Sequence, residues 1–336
     1  MFRMNRILPR CVVRILFAST LVLVDVYSIP QSVLAAAIDP KEIWLSGVDP
    51  VVLHDRDKNA ADNDFMELFK SGSSWARASA RVQVFKVSTQ FLHRSSDEQL
   101  ATVVQYLRSH HIALALEAEI MVTSVRCGNG IPGFTTTNVI QKAVDRVRSV
   151  GGQIDYVAFD EPMAFGRAHR RPGQCGFSIE QLVQNIEPNI RTIKTAFPNV
   201  VFGDIEPVTD ATLTPGYLDS MLEFARVFHE QTGEKLAFLQ ADIIWQNRWQ
   251  PQLLEWRTRL RAAGMKFGVI VDGDPADRSD SEWAALAISR YRLVMSNPQT
   301  LPDEVVFQSW QKLPNRFLPD NVPGTLTNIV LQSLER

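Results

Sequence analysis

The chain has 336 residues, of which 45% are hydrophobic and 21% are charged, and its formal net charge at pH 7 is −2. A chain of this length can bury one large core. It has no basic stripe and no Lys/Arg-rich tail, so nucleic acid is not expected as a partner. The composition also shows no low-complexity linker that would divide the chain into two domains.

The first 37 residues have the pattern of a secretory signal peptide. Arginines in the first 14 residues overlap an almost wholly apolar run, Val12–Val24, and small residues follow up to Ala37. Signal peptidase recognises this order, and the run is shorter than the roughly 20 residues of a membrane-spanning helix. We therefore expect residues 38–336 to be a secreted or periplasmic protein without a membrane span. An uncleaved anchor is the alternative, because Asp25 and Pro30 interrupt the approach to the cleavage site.

Two cysteines remain beyond this leader, Cys127 and Cys175. Each lies in a Gly-rich loop rather than in an apolar periodic segment. Two cysteines in an oxidising compartment indicate one disulfide. Two free buried thiols are the alternative.

Short apolar runs alternate with amphipathic stretches from Ile43 onward. The runs are rich in Val, Ile and Phe and are apolar at successive positions, as expected for strands covered on both faces. The predicted strands are Ile43–Val52, Val82–Phe91, Ile112–Met121, Ile154–Asp160, Val200–Ile205, Leu236–Ile244, Lys266–Val271 and Val305–Trp310.

The stretches between these strands predict helices, because their apolar residues recur at helical spacing. Leu100, Val103, Val104 and Leu107 are one example, and the last helix is predicted over Thr325–Leu334. Capping-box spacing marks several helix starts, and a proline inside one helix predicts a kink or a break. The capping pairs are Ser95 with Glu98, Ser178 with Gln181, and Ser279 with Glu282; the proline is Pro188.

Eight strands in strict alternation with eight helices predict a single-domain α/β fold, the (β/α)8 TIM barrel. A doubly wound open sheet is the alternative. That fold would place a Gly-rich phosphate-binding turn after the first strand. The sequence there is Gly47-Val48-Asp49-Pro50, which favours the barrel.

Polar side chains gather where the predicted strands end. In a barrel these ends meet on one face, which carries the chemistry of the fold. Clustered carboxylates spread their pKa values, so one acid can hold a proton while its neighbour is ionised, as glycoside hydrolysis requires. The strand-end residues include Asp49, Asp55, Lys86, Gln90, Glu117, Glu119, Asp160, Glu161, Asp204, Glu206, Gln240, Asp242, Asp272, Asp274 and Gln308, with Trp245, Trp249 and Trp310 beside them. An indole face can pack on a sugar ring.

On Asp160-Glu161-Pro162 and Gln308-Ser309-Trp310, the sequence resembles secreted TIM-barrel glycoside hydrolases. In the large retaining clan the fourth strand ends Asn-Glu-Pro, and the resemblance implies that Glu161 is the general acid/base. Two residues depart from that pattern, Asp160 in place of Asn and Asp272 in place of a nucleophilic Glu. Other barrel glycosidases use Asp, Glu and Asp on strands four, five and seven. Asp160, Glu206 and Asp272 match that alternative, although the surrounding motifs do not.

The leading hypothesis is a secreted hydrolase of an oligo- or polysaccharide that requires no cofactor. Glu161 is the predicted acid and Glu206 or Asp272 its partner carboxylate. The supporting or sugar-binding residues are predicted to be Asp160, Glu119, Gln240, Asp242, Trp245, Trp310 and Lys86. Lys86 is expected to form an ion pair or to contact a sugar hydroxyl, since neighbouring acids keep it protonated.

Three other interpretations stay open at this point. The barrel could bind glycan without cleaving it, in the handling of envelope polysaccharide. It could instead hold a divalent cation for lyase or phosphodiester chemistry. Any single strand-end acid could also be structural, as a helix cap or an Arg partner. The histidines show no H-x-H or H-E-x-x-H spacing, so a zinc site is not expected.

Overall fold

A computed structural model describes residues 42–169, 171–212 and 215–335 of the chain. The predicted signal peptide lies outside these residues. Within the described part of the chain, no helix combines the length and apolar character needed to cross a membrane.

Eight parallel strands close into a barrel in which each strand pairs with its neighbours in the sequence and the last pairs with the first. The strands are Glu42–Ser46 (β1), Val84–Ser88 (β2), Ala113–Ala118 (β3), Tyr156–Asp160 (β4), Val201–Val208 (β5), Leu236–Ile243 (β6), Lys266–Val271 (β7) and Glu304–Gln308 (β8). At least one helix separates each strand from the next. The predicted (β/α)8 TIM barrel is thereby confirmed.

The helices cover the outside of the barrel. They are Pro50–Arg56, Ala76–Ser79, Thr89–Arg94, Asp97–Ser109, Val139–Ser149, Pro162–Gly166, Ile179–Ala196, Pro215–Thr232, Gln250–Ala262, Asp280–Met295 and Leu326–Leu334, with 3-10 turns at Phe65–Phe69 and Pro298–Thr300. A small parallel ladder of Met121–Val122 and Phe134–Thr135 lies in the loop after β3.

The first two predicted strands were too long, because a short helix follows each strand at once. Asp49 caps the first of these helices by accepting hydrogen bonds from the amides of Val51 and Val52 at 2.9 and 3.0 Å. Ser88 caps the second through the amide of Phe91 at 3.0 Å. Periodicity cannot separate a short apolar helix from a buried strand, so these two ends were misplaced.

Two details of the predicted helices also differ. The capping box of the helix Asp97–Ser109 is formed by Ser96 and Gln99, one residue later than predicted. Pro188 lies within the unbroken helix Ile179–Ala196, so the predicted break is absent there. The capping box of Ser178 and Gln181 is confirmed.

The barrel interior contains one apolar layer with a residue from every strand. These residues are Trp44, Val84, Ala115, Ala158, Ile205, Phe238, Ile270 and Val306. Side chains alternate along a strand, so the residues two positions later also point inward. Residues of the opposite parity, such as Phe202 and Val208 on β5, pack in the separate core between strands and helices.

Two loops close over the carboxyl end of β4. The predicted disulfide Cys127–Cys175 is present and joins the loop after β3 to the loop after β4. The amide of Gly133 donates to Oδ2 of Asp160 at 3.1 Å. A Cβ atom at Gly133 would lie 2.3 Å from the Asp160 carbonyl oxygen, and its φ is +74°. Only glycine permits this approach.

Candidate functional site

A buried lysine lies at the centre of the polar end of the barrel. Lys86 on β2 is fully buried, and its Nζ lies 2.6 Å from Oε2 of Glu117 on β3. Gln308 on β8 donates to the same oxygen through Nε2 at 2.8 Å. The structure therefore gives Lys86 an ion-pair partner on the neighbouring strand.

Asp160 at the end of β4 is the next member of this cluster. Its pKa is raised to about 8, mainly by burial and then by the charges of Glu117 and Glu119. The ammonium of Lys86 and the amide of Gly133 act in the opposite direction. The protonated form of Asp160 is therefore favoured at neutral pH.

Glu161 is held in an uncommon backbone conformation. Its φ of 50° and ψ of 47° lie in the left-handed region, directly before the helix Pro162–Gly166. Burial and then the charge of Asp242 raise the pKa of Glu161 well above its usual value, with further contributions from Asp160 and Glu206. Glu161 also shares a side-chain hydrogen bond with Asp242. Because burial raises the pKa of Asp242 only to about 7, we assign the proton to Glu161, which donates to Asp242.

Asp272 after β7 is in a different electrostatic environment. Burial raises its pKa to about 6, and the charge of Arg290 and the indole of Trp245 limit this increase. Arg290 Nη1 and Trp245 Nε1 donate to Oδ1 at 3.0 and 2.7 Å. The guanidinium also lies 5.0 Å from the centroid of the Trp245 ring. Asp272 is therefore mostly ionised at pH 7, whereas Glu161 is protonated.

A cleft of about 220 Å³ opens beside Glu117 and Asp160, and Glu161, Asp242 and Asp272 are not among its lining residues. Glu119, Asp160 and Trp310 line it, so three of the predicted substrate-binding or supporting residues share one cavity. Burial raises the pKa of Glu119, and a side-chain hydrogen bond with Gln90 opposes that effect. Asp160 connects the cleft to Glu161, the next residue in the chain. The carboxyl end of the barrel, called the mouth below, therefore presents both hydrogen-bond donors and acceptors.

A larger groove of about 800 Å³ lies elsewhere, along the helix Asp97–Ser109. Tyr106 and His110 lie on one wall with their rings stacked at 3.9 Å. No carboxylate is found among its lining residues. Because the carboxyl groups lie at the mouth of the barrel, we place the candidate acid–base site there and not in this groove.

Glu206 does not point into the barrel, which corrects its prediction as a partner carboxylate. It has the opposite parity to Ile205, so it faces the helices and is 0% exposed. Its oxygens accept hydrogen bonds from the amides of Met163 and Ala164 and from the hydroxyl of Tyr217. Of the two candidates, only Asp272 lies at the mouth.

Two further residues lie deeper than the sequence predicted. Gln240 points inward but is 0% exposed, and it donates to Oε2 of Glu304, two residues before the layer residue Val306, at 3.3 Å. Trp249 is also buried and packs edge-on against Trp245, at 5.2 Å between ring centroids. Neither side chain is placed to contact a sugar in the cleft.

Sequence reasoning missed Arg290, which holds Asp272. It lies on the helix between β7 and β8, and its side chain also donates to the carbonyl oxygens of Asp272 and Gly273. Its spacing in the sequence could have indicated this role. Arg290 lies three residues after Ala287 and four before Val294, so it shares the buried face of the helix with them. An arginine on the apolar face of a helix needs an acidic partner. Within the described residues, no group of three or more His, Cys, Asp or Glu side chains has the geometry of a metal site.

Comparison with known proteins was made by sequence and by structure. No protein-family model and no curated protein sequence matches the chain. Solved structures do match. The chain shares its fold with bacterial xylanases. Xylanase B from Clostridium stercorarium F9 has a TM-score of 0.52 at 14% identity, covering 87% of this chain and 97% of that one.

Two other xylanases give similar values. Xylanase 10B from Thermotoga maritima has a TM-score of 0.50 at 12% identity, covering 82% of this chain and 93% of that chain. A GH10 endoxylanase from a sugarcane soil metagenome has a TM-score of 0.52 at 10% identity, covering 89% and 98%. The expected similarity to TIM-barrel glycoside hydrolases is thus found in the fold, at low sequence identity.

Proposed function

We propose that this protein is a secreted glycoside hydrolase that cleaves an oligo- or polysaccharide, with Glu161 as general acid and Asp272 as the partner carboxylate. The proposal depends on one observation. Glu161 and Asp272 lie at the same end of the barrel, and their environments favour a protonated Glu161 and an ionised Asp272. Asp242 connects them, since it hydrogen-bonds to Glu161 and interacts with the charge of Asp272. Separated pKa values of this kind distinguish the acid from the base in carboxylate pairs.

The proposed reaction uses the proton on Glu161 first. Glu161 protonates the oxygen of the glycosidic bond as that bond breaks, and ionised Asp272 stabilises the positive charge that develops on the sugar ring. Water then adds at the anomeric carbon and supplies the proton that restores the acid. Arg290 and Trp245 both bind Oδ1 of Asp272, which keeps this carboxylate oriented and ionised during the reaction. The sequence of steps requires no cofactor.

Carbohydrate is the proposed substrate because of the cleft beside Asp160, the residue before Glu161. Glu119 and Asp160 face the cleft and can bind hydroxyl groups, and Trp310 supplies an aromatic wall. The fold shared with xylanases supports the same class. The disulfide and the signal-peptide pattern support a location outside the cytoplasm.

A glycan-cleavage screen tests the proposal. Residues 38–336 would be incubated with xylan, β-glucans and other polysaccharides, and released products would be read by mass spectrometry. Glu161→Gln should lower cleavage by about 10²–10⁴-fold, while Glu98→Gln, at an exposed helix position, should cleave like wild type. Undiminished cleavage by Glu161→Gln would overturn the assigned acid. Glycan binding without cleavage by wild type would instead support a non-catalytic glycan-binding barrel.

A further inference from the structure

Glu206 makes an unusually complete set of hydrogen bonds for a carboxyl group outside the barrel lumen. The amides of Met163 and Ala164 donate to Oε1 and Oε2 at 2.6 and 3.1 Å. The hydroxyl of Tyr217, on the helix after β5, donates to Oε2 at 2.6 Å. All five atoms are in the layer between strands and helices, and none of the four residues lines the cleft.

These amides belong to the turn that carries Glu161. The Glu161 amide donates to the carbonyl oxygen of Ile205 on β5 at 3.1 Å, and its own carbonyl oxygen accepts from the amide of Phe165 at 3.0 Å. A left-handed conformation at a non-glycine residue is strained and persists only where the surroundings hold it. The two amides that follow Pro162 donate to Glu206, and these hydrogen bonds hold the turn from the helix side of the barrel.

We propose that Glu206 and Tyr217 are positioning residues for Glu161. From the helix side of the barrel they hold the strained turn, so that the Glu161 carboxyl points into the mouth while Glu206 itself never contacts substrate. Replacement of either residue should therefore change how Glu161 ionises and acts, without changing how the cleft binds glycan. This inference rests on the role of Glu161 in the proposed function.

Glu206 also affects Glu161 electrostatically. It lies close enough to Glu161 to raise the pKa of the acid, together with Asp242 and Asp160. Burial raises the pKa of Glu206 itself to about 8, and the groups that face it are Tyr217, Asp160 and its strand neighbour Asp204. Because Glu206 is itself mostly protonated below about pH 8, its main effect at neutral pH is through the turn, which keeps the Glu161 carboxyl where burial and Asp242 raise its pKa.

The chain contains a matched control on the same strand. Asp204 has the same outward parity as Glu206 and is also buried, but neither of its oxygens has a hydrogen-bond partner within the described residues. Asp204→Asn removes a buried carboxyl from β5 without touching the Glu161 turn. Glu206→Gln keeps the size of the side chain, removes its charge and disrupts one of the two amide contacts.

The first measurement is independent of catalysis. Glutamate labelled with ¹³C at the carboxyl carbon would be used to titrate Glu161, with its signal assigned by its loss in Glu161→Gln. In folded Glu206→Gln the midpoint should fall by about half a pH unit or more, and in Asp204→Asn it should not move. An unchanged midpoint in Glu206→Gln, or an equal shift in Asp204→Asn, would overturn the positioning role.

The second measurement uses the glycan that wild type cleaves. Glu206→Gln should lower kcat by about 10-fold or more with KM nearly unchanged, because the transition state depends on the placement of the acid. Tyr217→Phe should act in the same direction and less strongly. Wild-type kcat in folded Glu206→Gln would contradict the proposal. Should wild type cleave no glycan, the hydrolase assignment fails, and the carboxyl titration still decides whether Glu206 positions Glu161.

Discussion

Nζ of Lys86 lies 2.6 Å from Oε2 of Glu117 in the middle of the barrel, and the lysine side chain is completely hidden from solvent. The same ammonium lowers the pKa of both Asp160 and Asp242. One buried cation thus compensates carboxyl groups from three strands. An unpaired charge in such a place is strongly destabilising, so the cluster depends on Lys86.

Lys86→Met should therefore destabilise the folded protein. Removing one partner of a buried pair costs about 3–5 kcal/mol, because the remaining charge is left without compensation. Urea denaturation monitored by circular dichroism would measure the free energy of unfolding. Lys70→Met is the control, since the pair of Lys70 with Glu67 is exposed and such pairs contribute about 0–1 kcal/mol. An equal decrease in the free energy of unfolding in both variants would show that the buried pair contributes no more than the exposed one.

The pH dependence of cleavage should have an acidic limb set by Asp272. Its pKa is raised to about 6, and the ionised form is the active one in the proposed reaction. As the pH falls through about 6, Asp272 gains a proton and kcat/KM should fall about tenfold per pH unit. A profile that is flat between about pH 4 and 7 would contradict the assignment of Asp272.

Trp245→Phe should move this acidic limb to higher pH. The indole donates to Oδ1 of Asp272 at 2.7 Å, and loss of a donor to the ionised form raises the pKa of a carboxyl group. We expect a shift of about half a pH unit to one unit. Trp310→Phe, which changes an aromatic wall of the cleft, should raise KM and leave the limb in place. A limb that moves only in Trp310→Phe would reverse the roles of the two tryptophans.

The sequence predicted the fold because each level of the pattern agrees with a barrel. Apolar runs alternate eight times with amphipathic stretches, capping pairs mark several helix starts, and no phosphate-binding turn follows β1. The errors fall where an apolar stretch leaves a strand and immediately enters a helix, as at Asp49 and Ser88. The pattern within a short stretch of sequence does not show which other elements of the fold that stretch will contact.

The site was predicted less completely, for a reason visible on β5. Asp204, Ile205 and Glu206 follow one another on this strand. Alternation requires the two acids to share one face and the isoleucine to take the other, but the sequence does not say which face is inside. The barrel places Ile205 inside and both acids outside. Arg290 was missed because it contacts Asp272 across 18 residues, from the middle of the helix after β7, and local spacing does not show that contact.

The buried acids should make the folded protein less stable as the pH rises. Asp160 has a pKa of about 8 in the folded state, against 3.8 as the ordinary value. Below about pH 4 both states bind this proton; between about pH 4 and 8 only the folded state does, so stability falls by up to about 1.4 kcal/mol per pH unit and group. Urea midpoints should therefore be lower at about pH 8 than at about pH 5. Equal midpoints would show that these pKa values are not raised.

Asp204 offers a direct check on that dependence. Burial raises its pKa well above 3.8, and its oxygens have no hydrogen-bond partner in the described part of the chain. Asp204→Asn removes the titration, so the loss of stability between about pH 5 and 8 should be smaller than in wild type. Glu98→Gln, at an exposed position, should keep the wild-type slope. If Asp204→Asn loses as much stability between about pH 5 and 8 as wild type does, other acids cause the pH dependence.

Removal of the disulfide should affect both stability and the carboxyl end of β4. Cys127 and Cys175 are 48 residues apart, and a cross-link over such a loop contributes about 2–4 kcal/mol through the entropy of the unfolded chain. The loop that it fixes also carries Gly133, the amide donor to Asp160. The Cys127→Ser/Cys175→Ser double variant should therefore unfold at lower urea concentration and show a higher pKa for Asp160, because a donor to its ionised form is less firmly held.

Two comparisons separate these effects. Reductant should lower the urea midpoint of wild type and leave that of the double variant unchanged, which attributes the loss to the bond itself. A ¹³C carboxyl titration of Asp160 then tests the link through Gly133. If stability falls and the midpoint of Asp160 does not move, the disulfide fixes the loop but not its contact with the site. If denatured, unreduced wild type exposes two free thiols, the bond is absent from the protein in solution.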